Sequence, residues 1–391
     1  MFQSSSVFVH SASLFIFFCL NELISWPLLK LWNVYGSDSD FIDLRWFWYS
    51  ANCYKSVGLR IFEPIGEICG GYQYGLLPIS VINNLELPEL IVFFLGYFLM
   101  ASYCFLITKY LLPIFSHKRN GLMLYYFLAI SPPMMLFVQR GQIDLLVLLL
   151  VFIAIRATVR EGSSHLSIVF AAFLLYMVSL IKFYPVVFLL SIGLFSKNKW
   201  TKFTFLFVFL FTLFPIWNSM KLTPVKINDM YQTTSMQFGF FKVFERVNET
   251  SSFELNKLEM WVLSVILHVC FWFVARKLMD LSVSSHEDNQ EANLNSIRYQ
   301  TLIWSAGAIS CYFLGSNIDF RLIFLAFSLS CLARLRMIPS SVNISLLSTN
   351  FWLSYESGGL EIFGDLSVGV TIAVLIQGCI SLMCTRRARE G

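Results

Sequence analysis

Long apolar runs separated by short polar connections are the feature that most constrains the fold of this chain. A transmembrane helix needs roughly 20 predominantly apolar residues, and as few as 17 can be enough. About twelve runs approach that length, so the sequence predicts an all-α polytopic integral membrane protein with about twelve transmembrane helices. We expect them to form a single domain over residues 1–391. The runs lie at residues 7–32, 89–112, 121–138, 143–157, 165–181, 183–196, 202–218, 260–276, 299–315, 320–334, 338–354 and 366–384.

The composition supports a membrane protein and argues against other classes. Hydrophobic residues make up 57% of the chain and charged residues only 13%, whereas a soluble domain is nearer a quarter charged. The net charge of +4 is too small to indicate a nucleic-acid partner, and we expect membrane lipids around the chain instead. No grouping of cysteines and histidines has metal-site spacing, so we expect no metal. Cys53 and Cys69 share one loop and could pair in an oxidising compartment, but their spacing does not decide this.

Basic residues in alternate connections predict the orientation of the chain. Cytoplasmic connections carry an excess of Lys and Arg, so these connections, both termini and the polar linker at 280–297 should be cytoplasmic. The opposite side then receives a long first loop at 33–88, a second at 219–259, and three tight turns. The basic connections contain Lys118 and Arg119; Arg156 and Arg160; Lys197, Lys199 and Lys202; Arg276 and Lys277; Arg334 and Arg336; and Arg386, Arg387 and Arg389.

The first loop holds three closely spaced carboxylates, Asp38, Asp40 and Asp43, followed at once by the aromatic residues 46–49. Trp and Tyr settle at the level of the lipid headgroups. Carboxylates beside such a belt indicate acid–base chemistry at the membrane–water boundary. A short amphipathic helix that only covers the surface explains the same pattern, and the residue types alone do not separate these two interpretations.

Three cations lie in tight turns on the side that should be poor in them: Arg140, Lys182 and Arg321. One interpretation is that their side chains reach out to lipid phosphates. The other is an anion site, because charges near membrane depth usually face a cavity and mark function. Neighbouring Asp144 and Asp319 could instead neutralise these cations, which would make the charges structural.

Short motifs at the first loop and at the three turns resemble membrane glycosyltransferases of the C-type fold. FVQRGQIDLLVLLLVFIAI resembles their NGQ-x-(N/D)-LLLLLL-x-LA stretch, and LIKFYPVVFLL resembles their K-x-YP-LLFL stretch. SNIDFRLIFLAF resembles an N-x-DYRL-IFL stretch of related bacterial membrane proteins. Asp43, Phe47, Ala51 and Gly58 fit the family spacing better than the same frame begun at Asp40. The nearest family is glycosyltransferase family 87, the polyprenyl-phosphate-mannose-dependent α-mannosyltransferases.

The resemblance implies a C-type glycosyltransferase fold with an extracytoplasmic first loop that carries short interfacial helices. It also implies transfer of mannose or another hexose from a polyprenyl-phosphate donor to a lipid-linked or glycan acceptor. The reaction would invert the anomeric centre, need no metal or cofactor, and take place on the outer face of the cytoplasmic membrane. The sequence departs from the family where Arg140 replaces the usual Asn before Gly-Gln, and where residues 58–62 replace a G-x-x-PY ending.

The chemistry of such a transfer assigns candidate roles to the motif residues. A carboxylate must take the proton of the acceptor hydroxyl as the new bond forms. The departing phosphate gains charge, which fixed cations stabilise. The candidates are Asp43 or Asp40 for the base; Arg321, Lys182 and Arg140 for the donor phosphate; and Gln142, Tyr184, Asn317 and Asp319 for the sugar or acceptor.

Two other classes of membrane protein compete with a glycosyltransferase. A transporter or flippase of lipid-linked glycans would usually show inverted repeats and charges in the middle of its helices, whereas the unusual charges here lie at helix ends. A polymerase or ligase of surface polysaccharide would depend on one large late loop. Residues 219–259 are the candidate for that loop.

Overall fold

A computed structural model shows that the residues it describes are almost all helical. The structure describes residues 4–31, 41–58, 77–115, 120–141, 143–159, 164–222, 237–238, 240, 243–245, 248, 255–280, 291–313, 317–318, 323–352 and 361–390. The helices are α1 (Ser4–Leu23), α2 (Pro27–Leu31), α3 (Ile42–Val57), α4 (Leu77–Asn84), α5 (Leu90–Phe115), α6 (Gly121–Ala129), α7 (Pro132–Gln139), α8 (Ile143–Val159), α9 (His165–Ile181), α10 (Val186–Phe195), α11 (Lys199–Leu222), α12 (Lys257–Asp280), α13 (Glu291–Phe313), α14 (Ile323–Arg334), α15 (Ser340–Trp352) and α16 (Glu361–Glu390). Strand β1 (Gln237–Phe238) pairs antiparallel with β2 (Asn317–Ile318).

Each predicted apolar run corresponds to a helix or to a pair of helices, which confirms an all-helical membrane-type architecture. Five helices in the described ranges are long and apolar enough to cross a membrane: α1, α5, α11, α12 and α16. The bent pair α6 and α7 would make a sixth, while α9, α10 and α14 are apolar but shorter. The count of twelve spans therefore stays a prediction. Helices α3 and α4 lie within the predicted first loop, and their interfacial position also stays a prediction.

The break between α6 and α7 has a local cause. Pro132 and Pro133 begin α7, and proline has no backbone N–H with which to continue the hydrogen-bond ladder of α6. The two helix axes meet at 49°. As a result, the end of α7 and the turn that follows it leave the direction of the preceding helix.

The chain forms two compact units. The N-terminal unit comprises Gln3–Leu106 and Leu136–Thr233, and the C-terminal unit comprises Met1–Phe2, Ile107–Met135 and Thr234–Gly391. The predicted single domain is not tested by this division. In the N-terminal unit α9 packs against α8, α10 and α11, and α3 packs against α4. In the C-terminal unit α13 packs on α14, and α16 packs on both α12 and α15.

The N-terminal unit has two ends of different character. At one end the rings of His165 and Trp200 lie 5.2 Å apart and join the starts of α9 and α11. The cations Arg156, Lys197 and Lys199 lie on the helix termini of this end, which we call the basic end. At the other end, the start of α3 contacts the turn between α7 and α8. We call this the loop end.

The C-terminal unit has a dense aromatic core. Tyr110 stacks on Phe327 with ring centroids 4.3 Å apart. The Tyr110 hydroxyl accepts a hydrogen bond from Trp304 Nε1 at 3.1 Å and donates to Gln300 Oε1 at 3.1 Å. The Tyr110 hydroxyl and Trp304 Nε1 are thus both hydrogen-bonded, as buried polar groups must be to avoid a desolvation penalty.

Phe41 fixes the start of α3 at the loop end. Its backbone is left-handed, with φ 53° and ψ 34°, a conformation that costs a non-glycine residue about 1–2 kcal/mol. Its ring is fully buried and meets Tyr97 and Phe93 edge-on at 5.3 and 6.3 Å. Gly96 makes room for this ring, since a Cβ there would lie 2.6 Å from it. Burial of a large aromatic side chain therefore offsets the strained backbone.

We expect Gly96→Ala to lower the stability of the protein, although alanine favours helices over glycine by about 1 kcal/mol. The added methyl group collides with Phe41, and overpacking of this kind costs about 1–3 kcal/mol. The thermal unfolding of the detergent-solubilised protein measures the effect. Combining Gly96→Ala with Phe41→Leu should restore part of the loss. A Gly96→Ala variant as stable as the parent would show that the Phe41 ring does not lie against Gly96.

Candidate functional site

Two backbone hydrogen bonds dock the start of α3 on the turn between α7 and α8. Phe41 N–H donates to Gln139 O at 2.7 Å, and Asp43 N–H donates to Arg140 O at 3.0 Å. The turn needs a glycine next, because Gly141 has φ +59° and a Cβ there would lie 3.0 Å from Leu44 and from Phe41. These main-chain hydrogen bonds thus place Asp43 next to Arg140 independently of the two side chains.

The side chains of Asp43 and Arg140 form an ion pair at this junction. Arg140 donates from Nη2 at 2.7 Å and from Nε at 3.1 Å, both to Asp43 Oδ1. The Asp43 side chain is 11% exposed and that of Arg140 34%. Among the residues that the structure describes, none donates a hydrogen bond to the second oxygen, Asp43 Oδ2. One oxygen is therefore fixed, and the other is open to a further donor.

Asp43 lies on the buried face of α3. Phe47 and Ala51 follow it at intervals of four residues, which places all three on one side of a helix, and all three are buried. Gly58 ends the helix with φ 58°. The spacing that carries the family resemblance is therefore a helix face with a carboxylate at its first turn.

A second ion pair joins the first turn of α8 to the end of α9. Lys182 Nζ lies 3.0 Å from Asp144 Oδ2, and the Tyr184 hydroxyl donates to Asp144 Oδ1. The Asp144 side chain is fully buried, and that of Lys182 is 7% exposed. The helix dipole favours a carboxylate in the first turn of α8. Asp144 is thus the partner of Lys182, the structural alternative that the sequence left open.

The two ion pairs belong to one loop end. Arg140 and Asp144 are four residues apart in the chain, so their Cα atoms lie within about 15 Å of each other. The α7–α8 turn therefore connects the candidate base on α3 with the residues that follow α9. The structure thus brings candidate residues together in two groups, Asp43 with Arg140 and Lys182 with Tyr184 on Asp144.

A third ion pair holds the other flank of α3. Arg45 donates from Nε and Nη2 to Glu89 Oε1 at 2.9 and 2.6 Å, and its guanidinium lies 5.5 Å from the Phe93 ring. Trp48 Nε1 donates to Leu87 O at 3.0 Å. Trp48, one of the aromatic residues at 46–49, thus helps to hold α3 against the segment between α4 and α5.

The remaining candidates cannot be placed at this site. The backbone of Asn317 pairs with that of Phe238 in the C-terminal unit. Asp40, Gln142, Asp319 and Arg321 lie outside the described residues, so their roles stay predictions. The grouping of Arg321 with the other two cations also stays a prediction.

The sequence did not predict the pairing of Arg140, and it left the pairing of Cys53 undecided. Arg140 was predicted to bind phosphate, but its pairing with Asp43 was missed, although the replacement of Asn by Arg in the motif was a signal. Cys53 is disulfide-bonded, and its partner lies outside the described residues, as does Cys69. Within the described ranges no group of three or more His, Cys, Asp or Glu side chains could hold a metal ion.

We expect Lys182→Met to destabilise the protein by about 3–5 kcal/mol, because it leaves the buried Asp144 carboxylate without its ionic partner. The matched control is Arg45→Met, which breaks a pair with side chains 25% and 33% exposed. A pair of that kind contributes about 0–1 kcal/mol. Chemical unfolding of both variants measures the difference. Equal losses would show that the Lys182–Asp144 pair is solvated in the folded protein.

Comparison with known proteins agrees with the motifs. The model of glycosyltransferase family 87 matches residues 75–236, a range that contains Arg140, Asp144, Lys182 and Tyr184 but neither Asp43 nor Arg321. No curated protein and no solved structure is significantly similar to the chain. The family match implies a glycosyltransferase. The family model that matches residues 75–236 is thus the one that the sequence motifs indicated, that of glycosyltransferase family 87.

Proposed function

We propose that this protein transfers a hexose from a polyprenyl-phosphate donor to a hydroxyl group of a glycan or glycolipid, with Asp43 as general base. The observation that carries the proposal is the Asp43–Arg140 pair. It presents a carboxylate with one oxygen held by a guanidinium and the other open, in the unit that contains most of the residues matched by the family model.

The open oxygen of Asp43 can act as the general base in a direct displacement at the anomeric carbon. The acceptor oxygen forms a bond to the anomeric carbon while the bond from that carbon to the phosphate oxygen breaks. The hydroxyl proton moves to Asp43 Oδ2, and the electron pair of the broken bond leaves with the phosphate. A single base acting from the face opposite the leaving group inverts the anomeric centre, as expected from the family. Contacts to Oδ1 keep the carboxylate oriented throughout, which lowers the entropic cost of the step.

Arg140 can serve Asp43 and the donor phosphate together. A guanidinium offers five N–H donors in a planar fork, and two of them bind Asp43 Oδ1. Arg140 can stay bound to Asp43 while its charge acts on a nearby anion. Its positive charge would stabilise the phosphate as the sugar leaves. Arg321 remains the other phosphate candidate, on the strength of its motif alone.

Lys182 supports the site from a buried position. Its charge is neutralised by Asp144, and Tyr184 completes the hydrogen bonding of that carboxylate. The K-x-YP motif thereby holds the first turn of α8 against the end of α9. We assign Lys182 chiefly to positioning the turn that carries Arg140, with any contact to phosphate secondary. Gln142, Tyr184, Asn317 and Asp319 remain candidates for binding the sugar or acceptor.

The reaction would take place on the outer face of the cytoplasmic membrane. Cations concentrate at the basic end of the N-terminal unit, and the candidate site lies at its loop end. The excess of Lys and Arg in cytoplasmic connections supports an outer position for the loop end. Polyprenyl-phosphate sugars would reach Asp43 from the lipid, and no metal or cofactor is required by this mechanism.

Asp43→Asn should reduce transfer by at least about two decades, the lower range for loss of a general base, because the amide keeps the shape but cannot take the proton. The measurement is the transfer of labelled mannose from a short-chain polyprenyl-phosphate mannose into membrane glycolipid or glycan. The matched control is Glu89→Gln, which removes the carboxylate that pairs with Arg45 on the same helix. Glu89→Gln should retain activity, and both variants should remain folded. Normal transfer by Asp43→Asn together with loss in Asp40→Asn would move the role to Asp40.

Single cysteines at the two ends of the N-terminal unit test the orientation. Asn84 and Lys197 are both exposed, near the loop end and at the basic end respectively. In intact cells, a membrane-impermeant maleimide should label Asn84→Cys, and Lys197→Cys only after permeabilisation. Labelling is measured against the parent protein, since Cys270 and Cys384 are exposed. The reverse pattern would place the loop end, and the chemistry with it, in the cytoplasm.

A further inference from the structure

The C-terminal unit contains a histidine that the proposed chemistry does not use. His268 lies in the apolar helix α12, where its Nδ1 is 2.6 Å from Ser264 O and its Nε2 is 2.8 Å from the Tyr312 hydroxyl. A carbonyl oxygen can only accept, so in the neutral ring Nδ1 carries the proton and Nε2 accepts from Tyr312. A polar side chain within an apolar span is costly and usually has a function. The His268–Tyr312 pair therefore requires an explanation.

Phe240 lies directly on this pair. Its ring centroid is 4.3 Å from that of His268, with 33° between the planes, and 5.4 Å from that of Phe313. Its backbone N–H donates to Tyr312 O at 3.3 Å. Tyr312 thus binds His268 through its hydroxyl and Phe240 through its carbonyl. The three residues form an aromatic seat, which we define as His268, Tyr312 and Phe240.

The aromatic seat adjoins the only strand pair in the part of the chain that the structure describes. Phe240 follows β1 by two residues, and Tyr312 precedes β2 by five. Gln237 lies opposite Ile318, and Phe238 opposite Asn317. An isolated pair of strands is marginally stable at best in water, and two residues on each side give very few hydrogen bonds. The pairing therefore needs an anchor close to it.

We propose that the aromatic seat is the anchor that holds β1 against β2. It fixes Phe240, which follows β1, against Tyr312, which precedes β2. The two strands, about eighty residues apart in sequence, thereby stay in register. His268 and Tyr312 are thus positioning residues, acting through Phe240. The chain runs from Ile318 directly into Asp319 and Arg321. Arg321 is a candidate for binding the donor phosphate, so any effect of the aromatic seat on donor binding rests on the proposed function.

The test measures the strand pairing directly and requires no substrate. Gln237→Cys and Ile318→Cys are introduced together in the full chain, because antiparallel partners lie within reach of a disulfide. Copper–phenanthroline oxidises the protein in detergent, and mass spectrometry quantifies the peptide linked between positions 237 and 318. In this background Tyr312→Phe removes only the hydroxyl, and His268→Leu removes its acceptor. The matched control is Tyr110→Phe, which removes a buried hydroxyl bound to Trp304 in the same unit.

We expect cross-linking to slow by about fivefold in Tyr312→Phe and in His268→Leu, the factor that loss of one hydrogen bond supplies. Tyr110→Phe should cross-link at the parent rate. Equal rates in Tyr312→Phe and the parent would overturn the proposal. A similar slowing in Tyr110→Phe would also overturn it, because the effect would then be a general loss of stability.

A second measurement separates the anchor from donor binding. Undecaprenyl phosphate should raise the melting temperature of the parent and of Tyr110→Phe, and raise it less in Tyr312→Phe. If the strands loosen in Tyr312→Phe while the shift in melting temperature is unchanged, the link to the phosphate motif is wrong. The proposed glycosyltransferase activity is tested separately by Asp43→Asn. Failure of the anchor and failure of the proposed function are therefore distinguishable.

Discussion

Charges enclosed by apolar helices must be paired, and this constraint organises the loop end of the N-terminal unit. Asp144 is fully buried and binds both Lys182 and Tyr184. Asp43 is nearly as enclosed and binds Arg140 through both its backbone and its side chain. Each of these carboxylates links two segments through directional polar contacts, in addition to the non-directional apolar contacts between them. The ion pairs therefore select one arrangement of the helix ends among many of similar packing quality.

The turn between α7 and α8 is where these pairings converge. Its left-handed glycine admits Phe41 and Leu44, and its carbonyl groups receive the start of α3. Arg140 on the turn pairs with α3, and Asp144 in the first turn of α8 pairs with Lys182 at the end of α9. A functional residue on this turn is held by backbone as well as by side chains. Such rigidity suits a site that must orient a carboxylate toward a hydroxyl group within a narrow range of angles.

The positions of the helices could be predicted from the sequence because apolar runs and proline breaks are local signals. The family could be predicted for a similar reason, since FVQRGQID and LIKFYPVV carry their pattern within a few residues. The sequence left open whether Asp144 pairs with Lys182, because the two residues are 38 apart in the chain. The bend at Pro132 and the face formed by Asp43, Phe47 and Ala51 follow from local patterns. The ion pair between Asp43 and Arg140 did not, because it joins segments about a hundred residues apart in sequence. The aromatic seat was missed because His268 and Tyr312 belong to no local motif, although a histidine in an apolar run was itself a signal.

The left-handed start of α3 has a consequence for the order of assembly. Phe41 lies against residues of α5 and binds the carbonyl of Gln139. During synthesis, α3 emerges long before either partner exists. Its native entry angle, and the neutralisation of Asp43 by Arg140, must wait until the chain through α7 has been made and inserted. The candidate site is therefore completed late in the biogenesis of this unit, although the residue proposed as its base is among the first to be synthesised.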